Sequence, residues 1–210
     1  MKKIFFTALL LISALSLYSE NCYKPAGHIG CLLDLNSEKG QEIVKKVETE
    51  KRKIYMDSMK YFEKGRFGNE KVGFIEYPKT EGWTLFADVR LPVYAMQISK
   101  GNGDIYTLMS YDLAKEYKNM NSEKAVEKML KNVYDKYKKA GVSENKMSLE
   151  PVILNGHKGM RFVLTDFQGK SMIKNSVIVK DKLYEITVEG LPKDVIEMQK
   201  VVEKSWNEMK

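Results

Sequence analysis

The chain has little of what reactive proteins are usually built around. Among its 210 residues, Cys22 and Cys31 are the only cysteines and His28 and His157 the only histidines. It contains no H-E-x-x-H, no G-x-S-x-G, no Walker-type lysine loop and no C-x-x-C. Those spacings are how metalloproteases, serine hydrolases, nucleotide-binding enzymes and thiol oxidoreductases present their reacting groups. Arginine is confined to Arg52, Arg66, Arg90 and Arg161, and bidentate reading of bases or phosphates favours arginine. No basic stripe with interleaved aromatics takes its place, so nucleic acid is excluded as a partner. The formal net charge of +7 is carried by lysines interspersed with glutamates, the pattern of a solvated surface.

What is present begins with a targeting pattern. Lys2 and Lys3 precede an apolar run over residues 4–15, too short to cross a bilayer comfortably. Residues 1–19 therefore read as a bacterial-type signal peptide, with small residues at Ala14-Leu15-Ser16 or Leu17-Tyr18-Ser19 beside the cut. The mature chain has no second apolar run of spanning length, so the protein is expected to be exported, to the periplasm or beyond. Cys22 follows Ser19-Glu20-Asn21, a polar context that disfavours lipid anchoring, because lipoprotein signals put small apolar residues there. In an exported protein the cysteine pair reads most simply as a disulfide, Cys22 to Cys31. The alternative is a metal site from Cys22, His28 and Cys31, for which a fourth ligand is missing.

Residues 37–63 form a long charged helix candidate whose stripe is Ile43, Val44, Val47, Ile54, Tyr55, Met59 and Phe62. It is expected to lie on the domain or on a partner. Extended segments follow at residues 72–77, 83–91, 93–99 and 104–110, broken at Pro78, Pro92 and Gly101-Asn102-Gly103. A middle helix capped by Asn121 or Ser122 carries Val126, Met129, Leu130, Val133, Tyr137 and Ala140 on one face.

From Pro151 onward the chain alternates apolar and polar residues three times. Asn155-Gly156 is a strong two-residue hairpin signal, because both central positions of a type I′ turn need positive φ. Met160, Phe162 and Leu164 share a face; Ile173, Val177 and Val179 do so around an interrupting Asn175; Tyr184, Ile186 and Val188 resume the pattern. Pro192 suits a first helical turn, and Val195, Met198, Val202, Trp206 and Met209 follow at helical spacing. Phe162, Ile186 and Trp206 are expected to meet in one interior between this sheet and its closing helix. Hairpin-paired strands covered by helices make an α+β sandwich.

Phe74-Ile75-Glu76-Tyr77-Pro78 followed by Gly82-Trp83 resembles the tyrosine-proline…tryptophan opening of PsbP-like domains. The resemblance covers about residues 71–210 and includes the Asn155-Gly156 strand entry and the helix ending near Trp206; exported bacterial members include DcrB-like proteins. It implies an α/β/α sandwich around a mostly antiparallel sheet, with the long N-terminal helix and cysteine loop outside the shared pattern. The organisation expected is a signal peptide (1–19), a cysteine loop with helix (20–66) and a PsbP-like domain (67–210). Accessory or binding roles follow from the resemblance, since fold alone assigns no chemistry.

Two groups of residues are candidates for a functional surface. His157 follows a hairpin turn, where a solvated side chain is expected, and Asp166 continues the face of Met160, Phe162 and Leu164, where it is expected half-buried. Arg161 and Lys174 are placed to lie opposite Asp166 as ion-pair partners. Tyr106, Tyr111, Tyr134 and Tyr137 cluster about the middle helix and its preceding hairpin, and suit either core packing or a groove for a peptide or small apolar ligand between helix and sheet. The leading expectation is an exported, non-enzymatic binding or accessory module acting on an envelope protein or such a ligand, with no cofactor. The alternatives are a hydrolase or metal-dependent enzyme using Asp166 and His157, and a surface adhesion or host-contact protein.

Overall fold

The computed structural model describes residues 37–80, 82–86, 95–112, 122–180 and 182–208. The expected leader, the Cys22–Cys31 loop with His28, and Met209 lie outside the described residues. The first element, α1 (Glu38–Phe62), starts where Ser37 Oγ accepts from the Gly40 N–H at 3.0 Å, which satisfies one of the donors a helix start leaves orphaned. Its last carbonyls are taken by Tyr77, whose hydroxyl donates to Phe62 O at 2.8 Å, and by Lys79, whose ammonium donates to Glu63 O at 2.7 Å. A short hairpin follows, β1 (Arg66–Asn69) and β2 (Gly73–Glu76). The Asn69 side chain accepts from the Lys71 and Val72 N–H groups and so builds the turn between them. β1 was not expected from the sequence, where Gly65 suits a helix stop and the first extended segment begins at residue 72.

The main sheet has seven strands in the order β3-β4-β5-β9-β8-β7-β6, every neighbour antiparallel. They are β3 (Trp83–Phe86), β4 (Ala95–Lys100), β5 (Ile105–Asp112), β6 (Met147–Leu154), β7 (His157–Phe167), β8 (Lys170–Val179) and β9 (Lys182–Gly190). The middle helix α2 (Ser122–Lys139) crosses one face between β5 and β6, and α3 (Pro192–Ser205) closes the other. The expected α/β/α sandwich is thus present, with the second half of α1 and the β1–β2 hairpin packed on the α3 side through Ile54, Tyr55, Met59, Phe62, Phe67 and Ile75.

One expectation is corrected. Ile186 and Trp206 do share the interior beneath α3, but Phe162 lies on the opposite face among Val126, Leu130, Leu164 and Leu183. The cause is a bulge. Near the β7–β8 turn Phe167 pairs with Lys170, a register that would set Phe162 opposite Asn175; a shift between Leu164 and Phe167 sets it opposite Lys174 instead. A one-residue slip exchanges the two faces of a strand, so the sandwich has two cores where one was expected.

Candidate functional site

An open groove of about 1040 Å³ runs between the first half of α2 and the β6–β7 hairpin. Val126, Val152, Ile153, Met160 and Ile178 give it apolar walls, and Gly159 leaves part of the lining without a side chain. Glu123 and Glu127 line the helix bank and Lys158 the sheet bank. Ile153 is 71% exposed, the most exposed of the large apolar side chains among the described residues. Its position follows from local sequence: β6 is an edge strand, and Pro151 inside it is tolerated because an edge has one side free of ladder bonds. Gly159 is equally constrained, since a Cβ there would fall 2.1 Å from Ser176 O.

A second polar arrangement is buried farther along the α2 face. Gln97, Thr107, Thr187 and Lys174 stand directly opposite one another across β4, β5, β9 and β8. Lys174 and Glu185 are 6% and 4% exposed and meet at 3.0 Å, with Ser176 Oγ 3.5 Å from the other carboxylate oxygen. Glu189 is next on the same face of β9, and its burial raises the carboxyl pKa, partly offset by Lys174 and Lys170. Burial together with Glu189 pushes the Tyr137 hydroxyl up to about 12. Lys174 and Glu185 pair with each other, which is how charge is accommodated inside a sheet sandwich.

The nominated residues do not come together. Tyr106 is fully buried on the α3 side, where burial and then Asp104 raise its pKa. Tyr111, Tyr134 and Tyr137 pack on the α2 side, the last two against Phe162 with ring centroids 6.4 and 5.7 Å away. None of the four lines the groove, which lies at the other end of α2. His157 and Asp166 sit near opposite ends of an 11-residue strand, roughly 30 Å apart at the rise of an extended chain, so no reaction uses both. His157 is half-buried, not solvated, with Nε2 3.0 Å from a Glu208 oxygen. Asp166 is exposed, not half-buried: at φ 43° it belongs to the irregular end of β7, and its charge partner is Lys146 at 3.8 Å.

Arg161 and Lys174 do not face Asp166 either. Lys174 is taken by Glu185, while Arg161 donates to Asn175 Oδ1 at 2.8 Å and Glu203 at 2.7 Å. Burial raises the Glu203 pKa, but hydrogen bonds from Gln199 and Arg161 more than offset this and leave it lowered. Asn175, the interruption in its apolar stripe, is satisfied by Gln199 at 2.9 Å and so registers α3 on the sheet. Among the described residues no three His, Cys, Asp or Glu side chains are grouped to hold a metal, and no helix is long and apolar enough to cross a membrane. A groove between helix and sheet was one expectation from the sequence, but it was placed at the tyrosines and not at the lining found here; an apolar Ile153 beside an edge proline was the available signal.

Fold and groove together define an α/β/α sandwich with an open cleft at one edge of its sheet. No family model matches the chain, and no curated protein matches it. Among solved structures it is similar to the solution structure of cyanobacterial PsbP (CyanoP) from Synechocystis sp. PCC 6803, at 12% identity over 68% of this chain and 90% of that one, with a TM-score of 0.43. Kinship with DcrB-like exported proteins stays an expectation from the sequence.

Proposed function

We propose that the protein is an exported, non-enzymatic binding or accessory module of the bacterial cell envelope, and that the groove between α2 and the β6–β7 hairpin receives its ligand. The observation that carries this reading is Ile153, a large apolar side chain 71% exposed on the wall of a cleft whose floor is mainly apolar and whose banks carry Glu123, Glu127 and Lys158. Leaving such a side chain in water forgoes roughly 1.5–3 kcal/mol of burial, a cost that a bound partner removes. The cleft matches the upper end of ligand-site volumes, with few polar groups at its rim. Export is supported by Lys2, Lys3 and the apolar run over residues 4–15.

The test is a photocrosslinking residue at position 153 in living cells, with Met56, on the far helix, as the exposed control. A discrete adduct from position 153 that Met56 does not give supports the reading. Absence of any adduct from position 153, together with turnover of a substrate by the purified chain, refutes it.

A further inference from the structure

The groove lies beside a free sheet edge, which offers two ways of holding a polypeptide: adding a strand to β6, or laying a helix in the cleft. The register decides between them. The Asn155-Gly156 turn has φ values of 49° and 80° and closes Leu154 on His157. In such a two-residue hairpin the closing pair exchanges both backbone hydrogen bonds. Residues 154, 152, 150 and 148 therefore bond to β7, while Ile153, Pro151, Leu149 and Met147 turn their backbone groups to the free edge. Pro151 falls among the outward-facing positions. Its missing N–H takes nothing from the β6–β7 ladder but removes a donor from the middle of the edge an incoming strand would need.

With strand addition obstructed, the cleft between α2 and the hairpin remains. Its banks carry opposite charge: Glu127 is exposed on the helix side and Lys158 on the sheet side, and neither is in an ion pair among the described residues. Apolar side chains lie between them, with Gly159 opening space. We infer that the groove docks an amphipathic helix of a partner protein, its apolar stripe on Ile153, Met160 and Ile178, a basic flank against Glu127 and an acidic flank against Lys158. This rests on the groove being the binding site and specifies what occupies it.

The mature chain is titrated with an amphipathic peptide of about 18 residues, five helical turns. It carries leucines at i, i+3, i+4 and i+7, lysine on one flank and glutamate on the other. A scrambled isomer and sodium palmitate serve as comparison probes. The peptide is expected to bind at micromolar concentration, with its scrambled isomer and Ile153→Glu each about tenfold or more weaker. Glu127→Lys combined with Lys158→Glu should weaken binding, and a peptide with exchanged flanks should restore it. Equal binding of the two isomers, or indifference to the charge exchange, overturns the helix assignment. Binding of palmitate alone, abolished by Ile153→Glu, overturns it too but leaves the groove as the ligand site. If no probe binds and position 153 forms no adduct in cells, groove and helix fall together.

Discussion

His157 Nε2 lies 3.0 Å from Glu208 Oε1, and the same imidazole stands edge-on to the Trp206 indole at a centroid distance of 6.2 Å. The contact ties the start of β7 to the segment beyond α3, which is itself held to the β1–β2 hairpin by reciprocal Phe74–Asn207 backbone bonds of 2.8 and 3.1 Å. Both side chains are partly buried, so the contact is less screened by solvent than one on an exposed surface. A double-mutant cycle of His157→Ala and Glu208→Ala should give a coupling of about 1 kcal/mol in urea unfolding. Additive single effects would show that packing on Trp206, not the contact with Glu208, holds the segment.

Trp206 is the largest fully buried side chain, packed 5.7 Å from the Tyr184 ring and so close to Gly73 that a Cβ there would fall 2.9 Å from Nε1. Truncation to alanine should cost about 3–5 kcal/mol. The indole nitrogen has no hydrogen-bond partner among the described residues, so Trp206→Phe forfeits packing alone and should cost clearly less. Denaturant midpoints for the two variants test this. Equal losses would mean that Nε1 makes a bond through water.

How much of this was readable beforehand depends on whether the determining contact is local. The Asn155-Gly156 turn adopts positive φ at both positions, a demand those residue types meet in isolation. The α3 stripe was equally legible, with Val195, Met198, Val202 and Trp206 all buried. The side of the sheet to which Phe162 points was not. It follows from the bulge between Leu164 and Phe167, which leaves the apolar alternation of residues 160–164 untouched. Nor was the lining of the groove, because Val126, Ile153 and Ile178 are brought together only by α2 docking on the finished sheet. The tyrosines drew notice because aromatics suit ligand walls and cores alike.

Lys174 and Glu185 exemplify a buried pair whose removal depends on how it is removed. Lys174→Ala strands a carboxylate inside the sandwich and should cost about 3–5 kcal/mol. Replacing Lys174 by Met together with Glu185 by Leu removes both charges at similar volume and should be neutral or stabilising. Thermal unfolding of the single and double variants separates the outcomes. A double variant as unstable as the single one would mean that Ser176 and its neighbours require the charges.

Glu189 supplies a pH dependence with a definite sign. Burial raises its folded pKa above the ordinary carboxylate value, so the folded state favours the protonated form. That contribution is full below the unfolded pKa and is lost as pH rises through the raised folded value. Stability should therefore fall for this group as pH rises above the ordinary carboxylate range, and Glu189→Gln should remove that component. The variant should exceed the wild type in denaturant midpoint near pH 7 and approach it near pH 4. A constant difference across the range would assign the effect to packing against Tyr137.

Pro151 makes the last case, because its effect concerns contacts that do not form. Its outward-facing position on edge strand β6 deprives the free edge of a donor without weakening the β6–β7 ladder. Pro151→Val restores that N–H and adds a strand-favouring side chain beside the exposed Ile153. The monomer should be no less stable, yet two copies can then pair β6 to β6, since antiparallel edges of one sequence are mutually complementary. Sedimentation velocity at rising concentration should show reversible dimers for the variant where the wild type shows fewer or none. Adding Ile153→Lys should reverse the association by placing like charges across the new junction. A variant that sediments as the wild type does would mean that the proline ring is not what keeps this edge open.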